Sequence, residues 1–255
     1  MENDLSDNIV LLTGVGGGIG NAFVHALVGR VKMLFTSSRS EESEVLNSSD
    51  SPENFTHLSY DLTMEQNVQA LMDHIRRDYG KLDILINTIG GSLYSFPLEE
   101  YPLEAFHEVF RVNLDSAFLL TKESVRLMKD SGGNIVHIVS SSADNIAKKK
   151  APYGMAKAAL GKLIQYAAAE LASYNIRVNG ISPTYVFTPR HEREIQQKAK
   201  KEDKSEEQIR KDLMKTQLIK RPLHSEDLIP LMELLATTKV ITGQVYRCTL
   251  GEVLK

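Results

Sequence analysis

Five of the eight residues from Thr13 to Gly20 (Thr13-Gly-Val-Gly-Gly-Gly-Ile-Gly20) are glycine, and they lie between two differently patterned segments. Asn8–Thr13 is a short apolar run that reads as a buried strand. From about Ile19 to Val28 the apolar residues recur at helical spacing. A strand that turns through glycines straight into a helix brings bare backbone and helix N–H groups to one point. A pyrophosphate can approach there because no Cβ stands in the way. Gly14, Gly16, Gly17, Gly18, Ile19 and Gly20 are therefore candidate phosphate-binding residues. A flexible glycine loop would look alike in isolation; the strand on one side and the helix on the other separate the two.

The same alternation continues along the chain. Strands are expected at Val31–Ser37, His57–Tyr60, Leu82–Asn87, Asn134–Ser140, Arg177–Ser182 and Gln244–Cys248. Between them, Thr63 and Gln66 have capping-box spacing at the head of a helix carrying Val68, Leu71, Met72 and Ile75. A long helical stretch covers Leu103–Met128, and an Ala- and Gly-rich helix covers Pro152–Ser173. Strands joined by helices predict an α/β fold, a doubly wound parallel sheet in one domain over 1–255. His191–Lys215 departs from this rhythm, being densely charged, with Ser205 and Gln208 at capping-box spacing. It reads as a solvated helical excursion or as an active-site lid (189–221), and the two are compatible.

Composition limits the function classes. A net charge of -3 and a pI near 6.2 give no basic footprint for a nucleic acid. Cys248 is the only cysteine, so neither a disulfide within the chain nor a thiolate metal site can form. The seven histidines lack metal-ligand spacing, and no metal is expected. The amino terminus is acidic without an apolar core, and no apolar run is long enough to span a bilayer. A soluble, cytoplasmic protein is the expectation.

The second strand ends at Phe35-Thr-Ser-Ser-Arg39 without the Asp or Glu that would accept hydrogen bonds from a ribose 2′-OH. Arg39 can instead offer a planar cationic fork and Ser38 a hydroxyl to a 2′-phosphate, which points to NADP(H). Tyr153 and Lys157 stand four apart on one helix face. A cation near a phenol stabilises phenolate, so Lys157 is expected to draw the Tyr153 pKa downwards.

Gly14, Gly18 and Gly20 fit the Thr-Gly-x-x-x-Gly-x-Gly fingerprint of the short-chain dehydrogenases/reductases, and Tyr153-Gly-Met-Ala-Lys157 fits their Tyr-x-x-x-Lys motif. Ser140 precedes the tyrosine at the family's separation, although Ser141 and Ser142 adjoin it, and Val112-Asn113-Leu114 resembles the family's helix asparagine. The chain thus resembles the NADP(H) type of that family over nearly its whole length. The resemblance implies a tetrad of Asn113, Ser140, Tyr153 and Lys157. Tyr153 would give a proton to a carbonyl oxygen that Ser140 holds, Lys157 would tune the tyrosine and bind the nicotinamide ribose, and Asn113 would anchor a relay water. It also implies cofactor contacts from Asp61 and Leu62 by the adenine, from Asn87, Thr88 and Gly90 after the fourth strand, and from Val186 and Thr188 near the nicotinamide. A homo-oligomer, dimer or tetramer, and a small carbonyl or alcohol substrate follow from the same likeness.

The chain departs from the family pattern at Thr88 and Ile89, at Thr184, and at Cys248-Thr-Leu-Gly251. These departures leave open a non-catalytic dinucleotide sensor that kept the fold, and a dehydratase or epimerase is a third reading. Lys148-Lys149-Lys150 reads first as a solvated loop; with Arg190 it would draw an acidic or carrier-linked substrate.

Overall fold

The computed structural model describes residues 5–39 and 53–252. Seven strands form one sheet in the order β3-β2-β1-β4-β5-β6-β7, and every pairing is parallel. They are β1 Ile9–Thr13, β2 Met33–Ser38, β3 Phe55–Ser59, β4 Ile84–Asn87, β5 Gly133–Ile138, β6 Ile176–Pro183 and β7 Val245–Cys248. The helices are α1 Gly18–Leu27, α2 Glu65–Tyr79, α3 Leu103–Phe110, α4 Ser116–Met128, α5 Ala151–Leu171, α6 Pro189–Glu202, α7 Glu206–Leu213 and α8 Ile229–Thr237.

Period-two alternation in the strands divides the core into two layers. Ile9 and Leu11 of β1 join Val68 and Leu71 of α2, Leu120 of α4 and Ile164 of α5 on one side. Val10 and Leu12 join Phe23 and Val24 of α1 and Met232 of α8 on the other. Burial on both faces explains why β1 and β4 are apolar nearly throughout. The chain passes from β1 outwards to β2 and β3, then returns to place β4 on the opposite side of β1. At such a reversal the connections after the two central strands diverge and leave a crevice at their carboxyl ends.

Two local expectations are corrected. The Thr63–Gln66 capping box does not form, because α2 starts at Glu65 with no side-chain cap. Asp61 organises the entry instead: its Oδ1 accepts from Thr63 N (3.1 Å) and Thr63 Oγ1 (2.8 Å), so the Thr63 hydroxyl is already committed. The Leu103–Met128 stretch is likewise not one regular helix, since a π-helical turn over Arg111–Asp115 separates α3 from α4. The charged excursion is two helices, α6 and α7, with a small apolar cluster of their own around Phe187, Ile195, Ala199 and Ile209. Ser205 Oγ caps α7 by accepting from Gln208 N at 3.2 Å.

α5 lies close against β6, where the Cδ1 of Ile164 is 2.7 Å from the position a Cβ on Gly180 would take. Ile164 is fully buried. Ile164→Ala is expected to lower the unfolding free energy by about 2–5 kcal/mol, measured by urea denaturation, because a rigid sheet cannot close over the cavity.

Candidate active site

Parallel register aligns Thr13, Asn87 and His137 in one row across β1, β4 and β5. All three are buried, so their polar atoms need partners. Thr13 Oγ1 donates to Asn87 Oδ1 (2.9 Å), and Asn87 Nδ2 donates to His137 Nδ1 (3.2 Å). That leaves His137 Nε2–H to donate to Thr121 Oγ1 (3.0 Å), whose own proton goes to Ala117 O (2.7 Å). The row fixes the His137 tautomer, and burial followed by the nearby Lys157 charge holds its pKa down at about 3. His137 is neutral at any physiological pH.

The row steadies the turns above it. Asn87 Oδ1 also accepts from Ile89 N (3.0 Å), and Thr88 Oγ1 lies 2.8 Å from Thr13 O and 3.2 Å from Gly14 O, bracing the glycine turn. Gly14 has φ +83, and a Cβ there would stand 2.6 Å from Thr88 Oγ1 and 2.8 Å from Ile89 N. Only glycine fits. α1 then begins at Gly18 with no side chain capping its first turn, so its N–H groups and positive dipole end remain available. The nucleotide diphosphate expected from the sequence fits this turn, whose helix amino terminus has no side-chain cap and whose glycines line the cleft.

The turn opens into a cleft of about 1230 Å³. All the expected cofactor residues line it except Asn87, which lies beneath in the buried row. Ser38 and Arg39 meet it at the end of β2, with no acid beside them among the described residues. Asp61 and Leu62 line it before α2, and Gly90 does so after β4. Val186 and Thr188 come from the segment after β6, where Thr188 packs over Gly18 and caps α6.

Ser140, Tyr153 and Lys157 also line the cleft. Ser140 follows β5 and accepts from Ser142 N (3.2 Å), which fixes the turn carrying Ser141. Ser141 and Ser142 also line the cleft, but it is the Ser140 side chain that acts on the Tyr153 phenol. Tyr153 and Lys157 share one face of α5, with the ammonium 6.0 Å from the ring centroid. Lys157 Nζ donates to Ile138 O at 2.8 Å.

The electrostatics correct one expectation. Burial pushes the Tyr153 phenol above its ordinary range, against the opposing pull of its hydrogen bond with Ser140. Burial also brings Lys157 itself down to about 7, which weakens it as a permanent cation. The downward shift expected from the Tyr-x-x-x-Lys spacing is outweighed by desolvation.

Asn113 bonds to backbone groups of Gly91 and Val109. The π turn carries it inwards, where Oδ1 accepts from Gly91 N (3.0 Å) and Nδ2 reaches Gly91 O (2.9 Å) and Val109 O (2.8 Å). Its amide therefore clamps the loop after β4. A Cβ on Gly90, at φ +154, would lie 2.7 Å from both Asn113 Oδ1 and Lys157 Nζ, so a side chain there would clash with both groups. A π bulge is a common means of aiming a side chain at a functional site.

Sequence reasoning missed the Thr13–Asn87–His137–Thr121 row, having noted of His137 only that the histidines lack metal-ligand spacing. A period-two check of polar residues at matched strand ends was the available signal. It also missed Tyr185, His191, Arg193, Glu194 and Glu252, which line the cleft. His191 Nδ1 faces Val186 O at 2.6 Å and so carries the proton, while burial lowers the ring's pKa. The departures after β6 and β7 have structural work. Thr184 N bonds Cys248 O (3.3 Å), and Leu250 O accepts from Leu218 N (3.1 Å) and Ile219 N (3.0 Å). Among the described residues no group of three or more His, Cys, Asp or Glu could hold a metal, and no helix is long and apolar enough to cross a membrane.

Comparison with known proteins gives consistent findings. Residues 8–199 match the family model described as short chain dehydrogenase. Senescence-associated protein 13 of Arabidopsis thaliana is 30% identical over 241 residues, covering 92% of this chain and 86% of its own. The NAD-dependent glycerol dehydrogenase of Listeria innocua serovar 6a is 29% identical over 186 residues, 72% of this chain and 73% of its own. Among solved structures, ElxO with NADP bound superposes with a TM-score of 0.85 at 25% identity, covering 96% of this chain and 98% of its own.

The buried His137 makes acid stability a test of the row. Its pKa is about 3 when folded against 6.5 as a free side chain, so the unfolded chain takes up the proton first as pH falls. Its neutral form carries no penalty above pH ~6.5, and stability is lost progressively down to pH ~3, on the order of 5 kcal/mol. His137→Gln is expected to flatten this part of the profile, measured by denaturant unfolding across that pH range.

Proposed function

The chain belongs to the short-chain dehydrogenase family, and from that premise we propose that it is an NADPH-dependent oxidoreductase that reduces a carbonyl to an alcohol, or runs the reverse oxidation. The observation that carries this reading is the convergence of Ser140, Tyr153 and Lys157 on the cleft that also holds the glycine turn.

Gly14 and Gly16–Gly20 would cradle the pyrophosphate against the N-terminus of α1. Ser38 and Arg39 would take the 2′-phosphate, Asp61 and Leu62 would border the adenine, and Thr88 and Gly90, braced by Asn87, would border the ribose. Val186 and Thr188 would contact the nicotinamide side. When bound, the cofactor supplies the hydride. A phenol held above its ordinary range keeps its proton at neutral pH, which suits Tyr153 to donate it to a carbonyl oxygen as negative charge develops there. Ser140 would hold the same oxygen by hydrogen bonding. Lys157, anchored at Ile138 O, would bind the nicotinamide ribose and exchange protons near neutrality. Asn113, spent on Gly91, would fix the loop and so the relay geometry. A non-catalytic sensor is less well supported, because the Thr88 side chain has defined hydrogen bonds and the four tetrad positions are intact.

Residues 189–221 would act as a lid, since α6 and α7 pack on their own apolar cluster. A homo-oligomer belongs to the same reading. Phe118 is half exposed and lines an apolar groove between α4 and α5.

The NADP choice rests on the acid-free end of β2. NADP accompanies ElxO, whereas the glycerol dehydrogenase is NAD-dependent, so the strand end must decide. Ser38→Asp is expected to weaken NADPH binding at least about tenfold and favour NADH, measured by titration with each nucleotide; unchanged preference would sink the assignment. Tyr153→Phe is expected to lower kcat at least about 100-fold with nucleotide affinity retained. Appreciable remaining turnover would remove Tyr153 from its role.

A further inference from the structure

Resting on that oxidoreductase reading, we propose that the substrate carries an anionic group, a carboxylate or phosphate, bound in the cleft by Arg190 and Lys150 with Lys148 and Arg193 around it. These four cations line the cleft, whose lining carboxylates are Asp61, Glu194 and Glu252. Their placement is beside the reacting groups. Arg190 Nη1 lies 3.7 Å from where a Cβ on Gly91 would stand, and Gly91 is the residue clamped by Asn113. Lys148 and Lys150 immediately precede Tyr153, Lys150 being the residue that opens α5. Arg190 and Lys150 both act electrostatically on His191, so the two charges share one neighbourhood.

The cations are also available. Arg190 uses Nε on Glu194 (3.0 Å), which leaves the outer edge of its guanidinium fork. Lys148, Lys150 and Arg193 make no ion pair with any described residue. On the outer part of the same excursion, Lys198, Lys204, Arg210 and Lys211 each pair with a carboxylate. The loop carrying them is held in place: Lys149, at φ +65, has its carbonyl bonded by Phe96 N at 3.1 Å, and Lys150 N bonds Ala147 O at 3.2 Å. Cations on fixed backbone above a partly desolvated cleft both attract an anion and give it a defined seat, with the arginine fork supplying paired donors.

The test uses two probes with one skeleton, para-carboxybenzaldehyde and its methyl ester, with NADPH as reductant. The protein is expected to use the carboxylate with a kcat/KM at least about tenfold above that of the ester. The combined Arg190→Gln and Lys150→Gln variant is expected to erase that ratio, mainly through KM, while NADPH affinity stays within about twofold. para-Formylphenyl phosphate, run alongside, tells a phosphate from a carboxylate by which anion gains more over the ester. Equal use of acid and ester, or a ratio that survives in the double variant, overturns the proposal. Weaker NADPH binding with an unchanged ratio assigns the cations to the cofactor's phosphates and overturns it too. Absent turnover of every probe would be a failure of the oxidoreductase reading. The anion seat is then read separately by ligand-observed NMR with terephthalate: binding lost in the double variant supports it, and no binding overturns it.

Discussion

The buried hydrogen-bonded row from Thr13 through Asn87 and His137 to Thr121 holds together the part of the molecule where function is concentrated. It joins the carboxyl ends of three strands to α4, at the one place where a doubly wound sheet splits its connections. Buried polar groups of this kind are costly when unpaired, so a fully satisfied chain of them tolerates little displacement. The register that makes Thr13, Asn87 and His137 neighbours is therefore fixed twice, by backbone pairing and by side chains. Asn87 then passes that order upwards to Ile89 N, and Thr88 passes it across to Thr13 O and Gly14 O. The glycine turn is supple in sequence and held in structure.

Around this frame, three segments deliver one side chain each or a pair. The turn after β5 carries Ser140, α5 supplies Tyr153 and Lys157 from one face, and the π turn between α3 and α4 turns Asn113 inwards. A Cβ on Gly90 would clash with both Asn113 Oδ1 and Lys157 Nζ. The cost of the arrangement is the burial of an ammonium, which brings Lys157 down to about 7. A lysine with that value exchanges protons near neutrality, unlike a surface lysine. Burial also raises Tyr153, so phenol and ammonium move towards their neutral forms together, as a low-dielectric site requires.

The excursion after β6 has a different organisation. α6 and α7 carry dense charge outside and a small apolar cluster inside, and they attach to the body through Val186 beside Leu223 and through Thr188 over Gly18. Their inner edge brings Arg190, His191 and Arg193 to the cleft, opposite the lysine loop that precedes α5. These are segments whose sequence is free to vary without disturbing the sheet.

The sequence by itself determined the parallel α/β architecture, the strand–glycine–helix turn and the Tyr153–Lys157 face, because these follow from periodicities and backbone limits that act within a few residues. The acid-free end of β2 was legible for the same reason. Tertiary structure alone decided the rest. The Thr63 cap was lost to Asp61, which was already bonding the same hydroxyl. The π turn broke a pattern that reads as continuous helix, because its cause is the fit of Asn113 against Gly91 from another segment. The direction of the Tyr153 shift reversed because desolvation depends on everything packed around the ring, whereas spacing records only the nearest charge. The polar row across β1, β4 and β5 joins residues far apart in the chain, and only the sheet register makes them neighbours.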